Sequence, residues 1–510
     1  MTESITESAA ATQSALTQSG PAAEAPRATE NRSTTPRSES FAEYISGGWA
    51  PRATGLPAQR AVAIHAADRR ARLSALHEGR RLIIPAGPAK VRSNDTDYLY
   101  RAHSAFLHLT GWGSDAVPGS VLVLEPRPAT DQGGGHDATV YLRESAGRDT
   151  DEFYANPEIG EFWTGARPSL DDVAAELGVL TGSLRGFLTD DLAERFASVP
   201  TLLIADADPA LTARLASRDP DDIALDTELA RDASELRLVK DAWEVDEMRA
   251  AVAATHRGFT DIVADLAEAA AHPRGERVVE GTFNRRARID GNAVGYETIA
   301  ASGPHACILH WTRNDGAVLL GDLILIDAGV EVDSCYTADI TRTLPIAGTF
   351  TDVQRRVYDA VLEAADAAFA IVRPGIRFRE IHAEAMRVIA QRTAEWGLLP
   401  VSAEESLQPD AQFHRRYMVH GTSHHLGMDV HDCAQARRDL YLDGVLEAGM
   451  VFTIEPGLYF QPDDLTVPEE YRGIGVRIED DILVTATGAE NLSAAIPRTA
   501  DAVEAWLAGR

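Results

Sequence analysis

Residues 323–343 read LILIDAGVEVDSCYTADITRT and decide the fold of the second half of the chain. A run of apolar residues ends at Asp327, and a second stretch with strand character follows a few residues later. The pattern predicts a β-hairpin whose midpoint falls near Asp333. In that register Asp327 faces Asp339 across the two strands, with Cβ atoms roughly 5 Å apart.

The two acids of this hairpin predict a bound cation. Two carboxylates at so short a distance repel each other, and each raises the pKa of the other. An apolar strand does not keep such a pair without compensation, and a divalent metal ion is the simplest compensation. Asp327 or Asp339 alone would also suit a turn or the surface, so the prediction depends on their pairing.

A histidine-rich segment supplies the next candidates, because residues 420–432 read HGTSHHLGMDVHD. Its histidines are His420, His424, His425 and His431, a density that packing alone does not explain. Imidazole serves as a metal ligand and as a proton carrier near neutral pH, and both roles are open here. A serine hydrolase is disfavoured because the GxSxG turn of such enzymes is absent.

Two glutamates stand near strand ends farther along the chain. Residues 450–459 (MVFTIEPGLY) place Glu455 just before a Pro-Gly break. Residues 475–481 (GVRIEDD) put Arg477 and Glu479 on one face of a strand by simple alternation. A surface salt bridge between Arg477 and Glu479 is the alternative to a functional role.

The candidate ligands together are two Asp, two Glu and at least one His. Oxygen-rich ligation with a single imidazole suits Mn²⁺ or Co²⁺, with Zn²⁺ or Fe²⁺ as alternatives, and Mn²⁺ is the expected metal. Five ligands with this much negative charge are too many for one closed structural zinc site. They suit two metal ions about 3.5–4 Å apart, bridged by carboxylates and a hydroxide.

The chain is expected to be an α+β protein with two domains and a tail. Paired strands with short turns predict a largely antiparallel sheet in a catalytic domain at 235–510. A mixed α/β domain is expected at 41–230 and a disordered tail, without a secretory signal, at 1–40. Strands are predicted at 82–85, 120–124 and 139–142, and helices at 171–177, 190–197, 236–271, 352–372 and 378–396.

Composition argues against several classes of partner. The formal net charge of −30 opposes binding to nucleic acid or to an anionic membrane. No apolar run reaches the roughly 18 residues of a membrane-spanning helix. Three cysteines without a CxxC pair predict neither a disulfide framework nor a zinc-thiolate site, and they favour a reducing, cytoplasmic location.

These segments, in this order, resemble the pita-bread metallopeptidases, which include aminopeptidase P, prolidase and methionine aminopeptidase. The matching motifs are Asp-Ala-Gly at 327–329, Asp-Ile-Thr-Arg-Thr at 339–343, His-Gly-x-Ser-His-x-Leu-Gly-x-Asp-Val-His-Asp at 420–432, Thr-Ile-Glu-Pro-Gly-x-Tyr at 453–459 and Arg-Ile-Glu-Asp-Asp at 477–481. The likeness covers 235–510 well and the first domain weakly, through 101–111. It implies a pita-bread fold for the second domain.

The resemblance also implies a set of metal ligands, namely Asp327, Asp339, His424, Glu455 and Glu479. Asp339 and Glu479 would bridge the two ions. Asp327 would hold one ion, and His424 with Glu455 would hold the other. The bridging hydroxide would attack the substrate, and Glu455 would also carry its proton.

The remaining implied catalytic residues are His310, His420, His431 and Arg477. His310 would contact the substrate near the scissile carbonyl. His420 and His431 would stabilise the tetrahedral intermediate and contact the residue at the proline position. Arg477 would brace the metal-bound carboxylates.

The activity implied by the resemblance is removal of the first residue from peptides whose second residue is proline, by a homo-oligomer, either a dimer or a tetramer. The separate first domain disfavours methionine aminopeptidase, and the complete ligand set disfavours the metal-free creatinase. The amino-acid sequence of 420–432 and 453–459 favours aminopeptidase P over an Xaa-Pro dipeptidase (prolidase) or a non-catalytic binding protein of the same fold. Position 425, often aromatic in the family, is His425, either a pocket residue or a replacement for that ring.

Overall fold

The structure is a computed structural model that describes residues 35–36, 38–52, 55–94, 96–128 and 135–509. The predicted tail at 1–40 lies mostly outside these residues. The helices, in chain order, are α1 (Glu39–Ser46), α2 (Ala63–Leu76), α3 (Ser104–Thr110), α4 (Asp151–Ala155), α5 (Glu161–Thr164), α6 (Leu170–Leu177), α7 (Leu184–Phe187), α8 (Leu192–Phe196), α9 (Pro209–Arg214), α10 (Pro220–Glu235), α11 (Ala242–Ala271), α12 (Gly275–Asp290), α13 (Asp352–Ala370), α14 (Phe378–Glu395), α15 (Ala403–Ser406) and α16 (Ala500–Ala508).

The strands form several small sheets. In chain order they are β1 (Arg81–Pro85), β2 (Val91–Ser93), β3 (Thr96–Asp97), β4 (Val121–Pro126), β5 (His136–Leu142), β6 (Leu180–Ser183), β7 (Thr201–Leu203), β8 (Ala293–Val294), β9 (Ile299–Ser302), β10 (Leu323–Ala328), β11 (Val330–Glu331), β12 (Ile340–Pro345), β13 (Val451–Ile454), β14 (Gly457–Tyr459), β15 (Gly475–Arg477), β16 (Asp480–Val484) and β17 (Ala489–Asn491). Among the described residues, no helix has both the length and the apolar character that a membrane crossing requires.

A small unit combines the described residues of 35–51 with Lys90–Tyr98 and Ala146–Gly165. It contains α1, α4, α5 and the β2–β3 hairpin. Aromatic rings supply its packing: Phe153 meets Trp49 edge-on at 5.5 Å and Phe162 at 5.9 Å between ring centroids. Such edge-to-face pairs add stabilisation beyond the area they bury.

The large unit comprises the other described residues, and its first part contains a five-stranded sheet of order β6-β5-β4-β1-β7. The pairs β1/β4 and β4/β5 are antiparallel, and β1/β7 and β5/β6 are parallel. The sheet is therefore mixed, as expected for an α/β fold, and the three strands predicted in this region are confirmed. The predicted helix at 171–177 corresponds to α6, and the one at 190–197 is shorter, as α8.

The second half of the large unit pairs its strands antiparallel, as predicted: β9, β10 and β12 form one sheet and β13, β16 and β17 another. Helices α13 and α14 match the predicted helices at 352–372 and 378–396. The helix predicted at 236–271 begins later, at Ala242, because Asp241 and Glu244 form a reciprocal capping box that starts a new helix there. Its end at Ala271 is as predicted.

The predicted register of the central hairpin is wrong by two residues. Asp327 lies opposite Thr341, not opposite Asp339. The cause is the loop: the Val332 amide donates to the Tyr336 carbonyl, and Cys335 adopts a left-handed conformation with φ of 67°, which moves the midpoint. Because a shift of two residues preserves the face of a strand, Asp339 becomes a diagonal neighbour of Asp327 on the same face.

Residues from the first half of the sequence also hold the histidine-rich segment. The Arg101 guanidinium pairs with the Glu331 carboxylate at 2.6 Å and donates to the Met428 carbonyl at 2.6 Å. The Ser104 hydroxyl donates to the Asp429 carboxylate at 2.6 Å. Arg101 and Ser104 thereby fix the backbone between His424 and His431.

Candidate metal centre

All five predicted ligands come to one place because two pairs of chain segments align there. The Glu479 amide donates to the Thr341 carbonyl, which brings Glu479 beside β12. The Thr453 amide donates to the His424 carbonyl, which lays the histidine-rich segment along β13. The ligands therefore reach the site from strand ends and from loops next to strands: Asp327 in β10, Asp339 just before β12, His424, Glu455 just after β13, and Glu479 just before β16.

Short distances connect the five side chains. Ligand atoms of Asp339, His424 and Glu479 all lie within 4.8 Å of one another. His424 Nε2 is 3.2 Å from Asp339 Oδ2 and 3.6 Å from Glu455 Oε1. The Tyr296 hydroxyl, which contacts both Asp327 and Asp339, links Asp327 to this group. The geometry is that of a compact cluster of oxygen donors around one imidazole.

Acidic charge in this cluster exceeds the local positive charge. Burial, together with repulsion from Asp339 and Glu455, raises the pKa of Glu479 well above its ordinary value. Burial also raises the pKa of Glu455 to about 7, and it raises that of Asp327 although Arg477 opposes the change. The carboxylates of Asp339 and Glu455 raise the pKa of His424 to about 9 against the effect of burial.

Arg477 supplies the main cation of the site. Its guanidinium is buried and bonds Asp327 Oδ2 at 2.5 Å, the Tyr459 hydroxyl at 3.2 Å and the Thr341 hydroxyl at 3.0 Å. The alternative of a surface salt bridge between Arg477 and Glu479 is therefore wrong, since both are buried and the ion pair is made with Asp327.

The three other predicted histidines lie at different distances from the cluster. His420 Nε2 is 2.8 Å from the Tyr459 hydroxyl and its Nδ1 is 3.7 Å from Glu455 Oε2. The His431 ring stands edge-on to His424, with 4.5 Å between centroids. His310 is exposed. Burial lowers the pKa of His431, and the charge of His424 acts in the same direction.

His425 lies apart from the cluster in an aromatic core. Its buried ring stacks on Phe378 with 4.6 Å between centroids and meets Tyr441 and Phe452 edge-on. Burial lowers its pKa to about 3. Of the two roles considered for His425, the structure supports the ring replacement and not the pocket residue.

Sequence reasoning missed Tyr296, which bridges the two hairpin acids. Its hydroxyl lies 2.6 Å from Asp327 Oδ1 and 2.5 Å from Asp339 Oδ1. Thr341 was also missed: it lies in the Asp-Ile-Thr-Arg-Thr motif without a predicted role of its own, and its hydroxyl donates to Glu479 Oε2 at 2.6 Å. No spacing signal could identify Tyr296, because its partners follow 31 and 43 residues later.

Two family profiles match this chain: Metallopeptidase family M24 over residues 246–486 and Aminopeptidase P, N-terminal domain, over residues 65–198. The chain is 52% identical to Xaa-Pro aminopeptidase 2 of Streptomyces coelicolor, over 92% of this chain and 96% of that one. It is 50% identical to Xaa-Pro aminopeptidase 1 of the same organism, over 92% of each chain.

Solved structures agree with the sequence relatives. The Pseudomonas aeruginosa aminopeptidase PepP superposes with a TM-score of 0.73 at 32% identity, over 88% of this chain and 99% of that one. An Escherichia coli aminopeptidase P in complex with substrate superposes with a TM-score of 0.72 at 30% identity, over 89% and 99%. The predicted pita-bread domain and the weak likeness in the first domain are confirmed, and neither prolidase nor a non-catalytic protein is favoured. The chain therefore belongs to the Xaa-Pro aminopeptidases of metallopeptidase family M24, metal-dependent enzymes that remove the residue preceding a proline.

Proposed function

We propose that this chain binds two divalent cations through four carboxylates and one imidazole and hydrolyses the Xaa-Pro bond beside them. The ligands are Asp327, Asp339, His424, Glu455 and Glu479. The observation that carries the proposal is the uncompensated negative charge of this buried cluster. Carboxylates in such a place either take up protons or bind cations, and a donor set rich in oxygen suits hard or borderline divalent ions.

The arrangement of the five side chains supports a division between two cations. Asp339 lies centrally, because Tyr296 links it to Asp327 on one side and His424 approaches it on the other. Asp339 would therefore be shared. Glu479, with a ligand atom within 4.8 Å of those of Asp339 and His424, would be the second shared ligand, as the family likeness implies. Asp327 would complete one site, and His424 with Glu455 would complete the other. Bound there, the cations would supply Lewis acidity and lower the pKa of a water molecule toward neutrality.

The remaining chemistry falls to side chains of this chain. The two oxygens of Glu455 face different groups, Oε1 toward His424 and Oε2 toward His420. One oxygen can ligate while the other takes a proton from water and passes it to the leaving proline nitrogen. Arg477 fixes the Asp327 carboxylate.

Three histidines border the cluster and are proposed to contact the peptide. His420, His431 and His310 would donate hydrogen bonds to oxygens that gain negative charge during hydrolysis. Burial and the charge of Arg477 lower the pKa of His420 to about 3, so His420 is neutral at neutral pH. Its Nδ1–H donates to the Gly421 carbonyl at 2.6 Å and its Nε2 accepts from the Tyr459 hydroxyl at 2.8 Å, so donation to a peptide would require His420 to give up its bond to Gly421.

Metal stripping tests the proposal. Chelation should abolish cleavage of Arg-Pro-Pro, return of Mn²⁺ should restore it, and elemental analysis should find two ions per chain. His424→Ala should lose metal and activity. The adjacent His425→Phe is the matched control and should keep two ions, because His425 packs in the aromatic core. Full activity after complete metal removal would refute the proposal, and cleavage of Gly-Pro alone would indicate a dipeptidase.

Further features are proposed from the donor chemistry, the composition and the family likeness. Mn²⁺ is proposed as the native metal from the oxygen-rich donor set, with Co²⁺ or Zn²⁺ as alternatives. Substrates are peptides with proline second, and the net charge of −30 disfavours nucleic acid and membranes as partners. A homo-oligomer is proposed from the family likeness, and a cytoplasmic location from three buried free cysteines. The domain division near 230–235 precedes α11 and remains a proposal.

A further inference from the structure

Glu276 is a buried carboxylate that belongs to no ligand set. It stands in the first turn of α12 and has no exposed side-chain surface. Its Oε1 accepts from the Ser302 amide at 2.8 Å and lies 2.7 Å from His305 Nδ1. Its Oε2 accepts from the Trp311 indole at 2.9 Å and from the Gly316 amide at 2.6 Å. Four donors thus surround one carboxylate.

All four partners lie in one segment, residues 302–316, which we call the His310 loop. His305 stacks on Trp311 with 3.8 Å between ring centroids. His310 lies between these two residues in sequence and directly precedes Trp311. Glu276 therefore binds the residues on both sides of His310 in the loop. His310 itself lies between these contacts and is exposed.

Glu276 and the His310 loop stabilise each other. A buried carboxylate is costly unless hydrogen bonds satisfy its oxygens, and here N–H groups of the loop do so. Among the described residues, Glu276 has no ion pair with an arginine or a lysine. The carboxylate consequently requires the loop in one conformation, and the loop's amides require the carboxylate.

We propose that Glu276 is a positioning residue that acts on catalysis through His310. The inference rests on the proposed role of His310 at the scissile carbonyl. Glu276→Gln retains the shape of the side chain, but its amide NH₂ opposes one of the two pairs of N–H donors. The loop would then relax, and a displacement of about 1 Å at a substrate-contacting group can cost about 100-fold in rate.

A double-mutant cycle in the metal-loaded, full-length enzyme tests this inference. We expect Glu276→Gln to lower kcat/KM on Arg-Pro-Pro by about 10- to 100-fold, and His310→Ala by at least as much. The double variant should be no worse than His310→Ala alone, because the two changes act through one group. Additive losses would refute a role through His310.

Glu244→Gln is the matched control, because Glu244 is also a buried, hydrogen-bonded carboxylate but contacts Tyr336 and Asp241 instead. Any loss it causes should multiply with that of His310→Ala. If Glu276→Gln does not fold, Trp311→Phe removes a single hydrogen bond to Glu276 and should give a smaller loss that is again absent in the His310→Ala background.

Hydrogen exchange separates this inference from the proposed role of His310. In Glu276→Gln the amides of Ser302 and Gly316 should exchange at least about tenfold faster, while those of β10 and β12 should not. Unchanged exchange in the His310 loop would refute the positioning role, whatever His310 does. Wild-type activity in His310→Ala would instead remove the proposed role of His310, and with it the catalytic part of the inference.

Discussion

Glu479 and Asp480 are neighbours in the chain and both are buried, yet their surroundings have opposite charge balance. Asp480 is 2.7 Å from Arg342 and 2.9 Å from Arg498, and these cations keep its pKa below the ordinary value although burial opposes them. Glu479 has the Thr341 hydroxyl and faces other acids, so its pKa is raised well above the ordinary value.

The comparison teaches that burial of an acid does not identify a site. The Asp480 carboxylate is neutralised by the protein itself and serves the fold. The cluster around Glu479 is left short of positive charge, which is the condition in which a metal ion is required. Charge balance around a buried acid, more than its burial, separates structural from functional carboxylates here.

The largest effect is expected from Glu479→Gln. Removing one shared ligand should lower kcat/KM on the order of 10⁴-fold, the scale found when one member of a cooperating catalytic unit is lost. The metal-free variant should be at least as stable as the metal-free wild type, because a repelling charge has been removed. Kinetics and thermal unfolding after chelation measure both quantities. A strong loss of metal-free stability would contradict the account of Glu479.

Asp480→Asn should lower the stability of the protein and leave its metal binding intact, the reverse of Glu479→Gln. Breaking one partner of a buried ion pair should lower the free energy of unfolding by about 3–5 kcal/mol. Urea unfolding followed by circular dichroism measures this change, and the folded fraction should keep two metal ions. Asp366→Asn is the control, since Asp366 is an exposed partner of Arg498 and its loss should cost about 0.5 kcal/mol or less. Equal losses for the two variants would show that Asp480 is not the structural anchor.

The smallest effect concerns pH. Because the pKa of Glu455 is raised from 4.5 to about 7, the folded protein without metal binds more protons than the unfolded chain in this interval. Metal-free wild type should therefore gain stability relative to Glu455→Gln as the pH falls from 7 to 4.5, by at most about 1.4 kcal/mol per pH unit. Denaturant titrations at several pH values measure the difference, and parallel curves for the two proteins would contradict it.

Much of the candidate site could be predicted from sequence because its residues stand at the ends of strongly patterned strands. Asp327 ends an apolar run, and Glu455 precedes Pro-Gly, so each could be recognised locally. The hairpin register could not be obtained this way. It depends on Cys335, a non-glycine residue with positive φ, and such a conformation is rare for that residue type.

Contacts between distant residues explain the other misses. Tyr296 and Glu276 bond partners that no periodic pattern links to them, and a tyrosine or a glutamate in those positions is unremarkable by itself. The sequence did not indicate which of the proposed metal-bound carboxylates Arg477 would contact, because its partner Asp327 lies 150 residues away. The start of α11 was missed because the capping box at Asp241 interrupts an apolar pattern that continues through it.

The contacts of Arg101 and Ser104 have a consequence for protein engineering. Glu331, Met428 and Asp429 receive their partners from a segment more than 200 residues earlier. In a chimera that joins halves of two homologues near residue 235, the hydrogen-bond donors at 101–104 would come from one homologue and their acceptors from the other. Recombination would have to exchange residues 101–104 together with 331 and 428–429, so these positions should be inherited as one block.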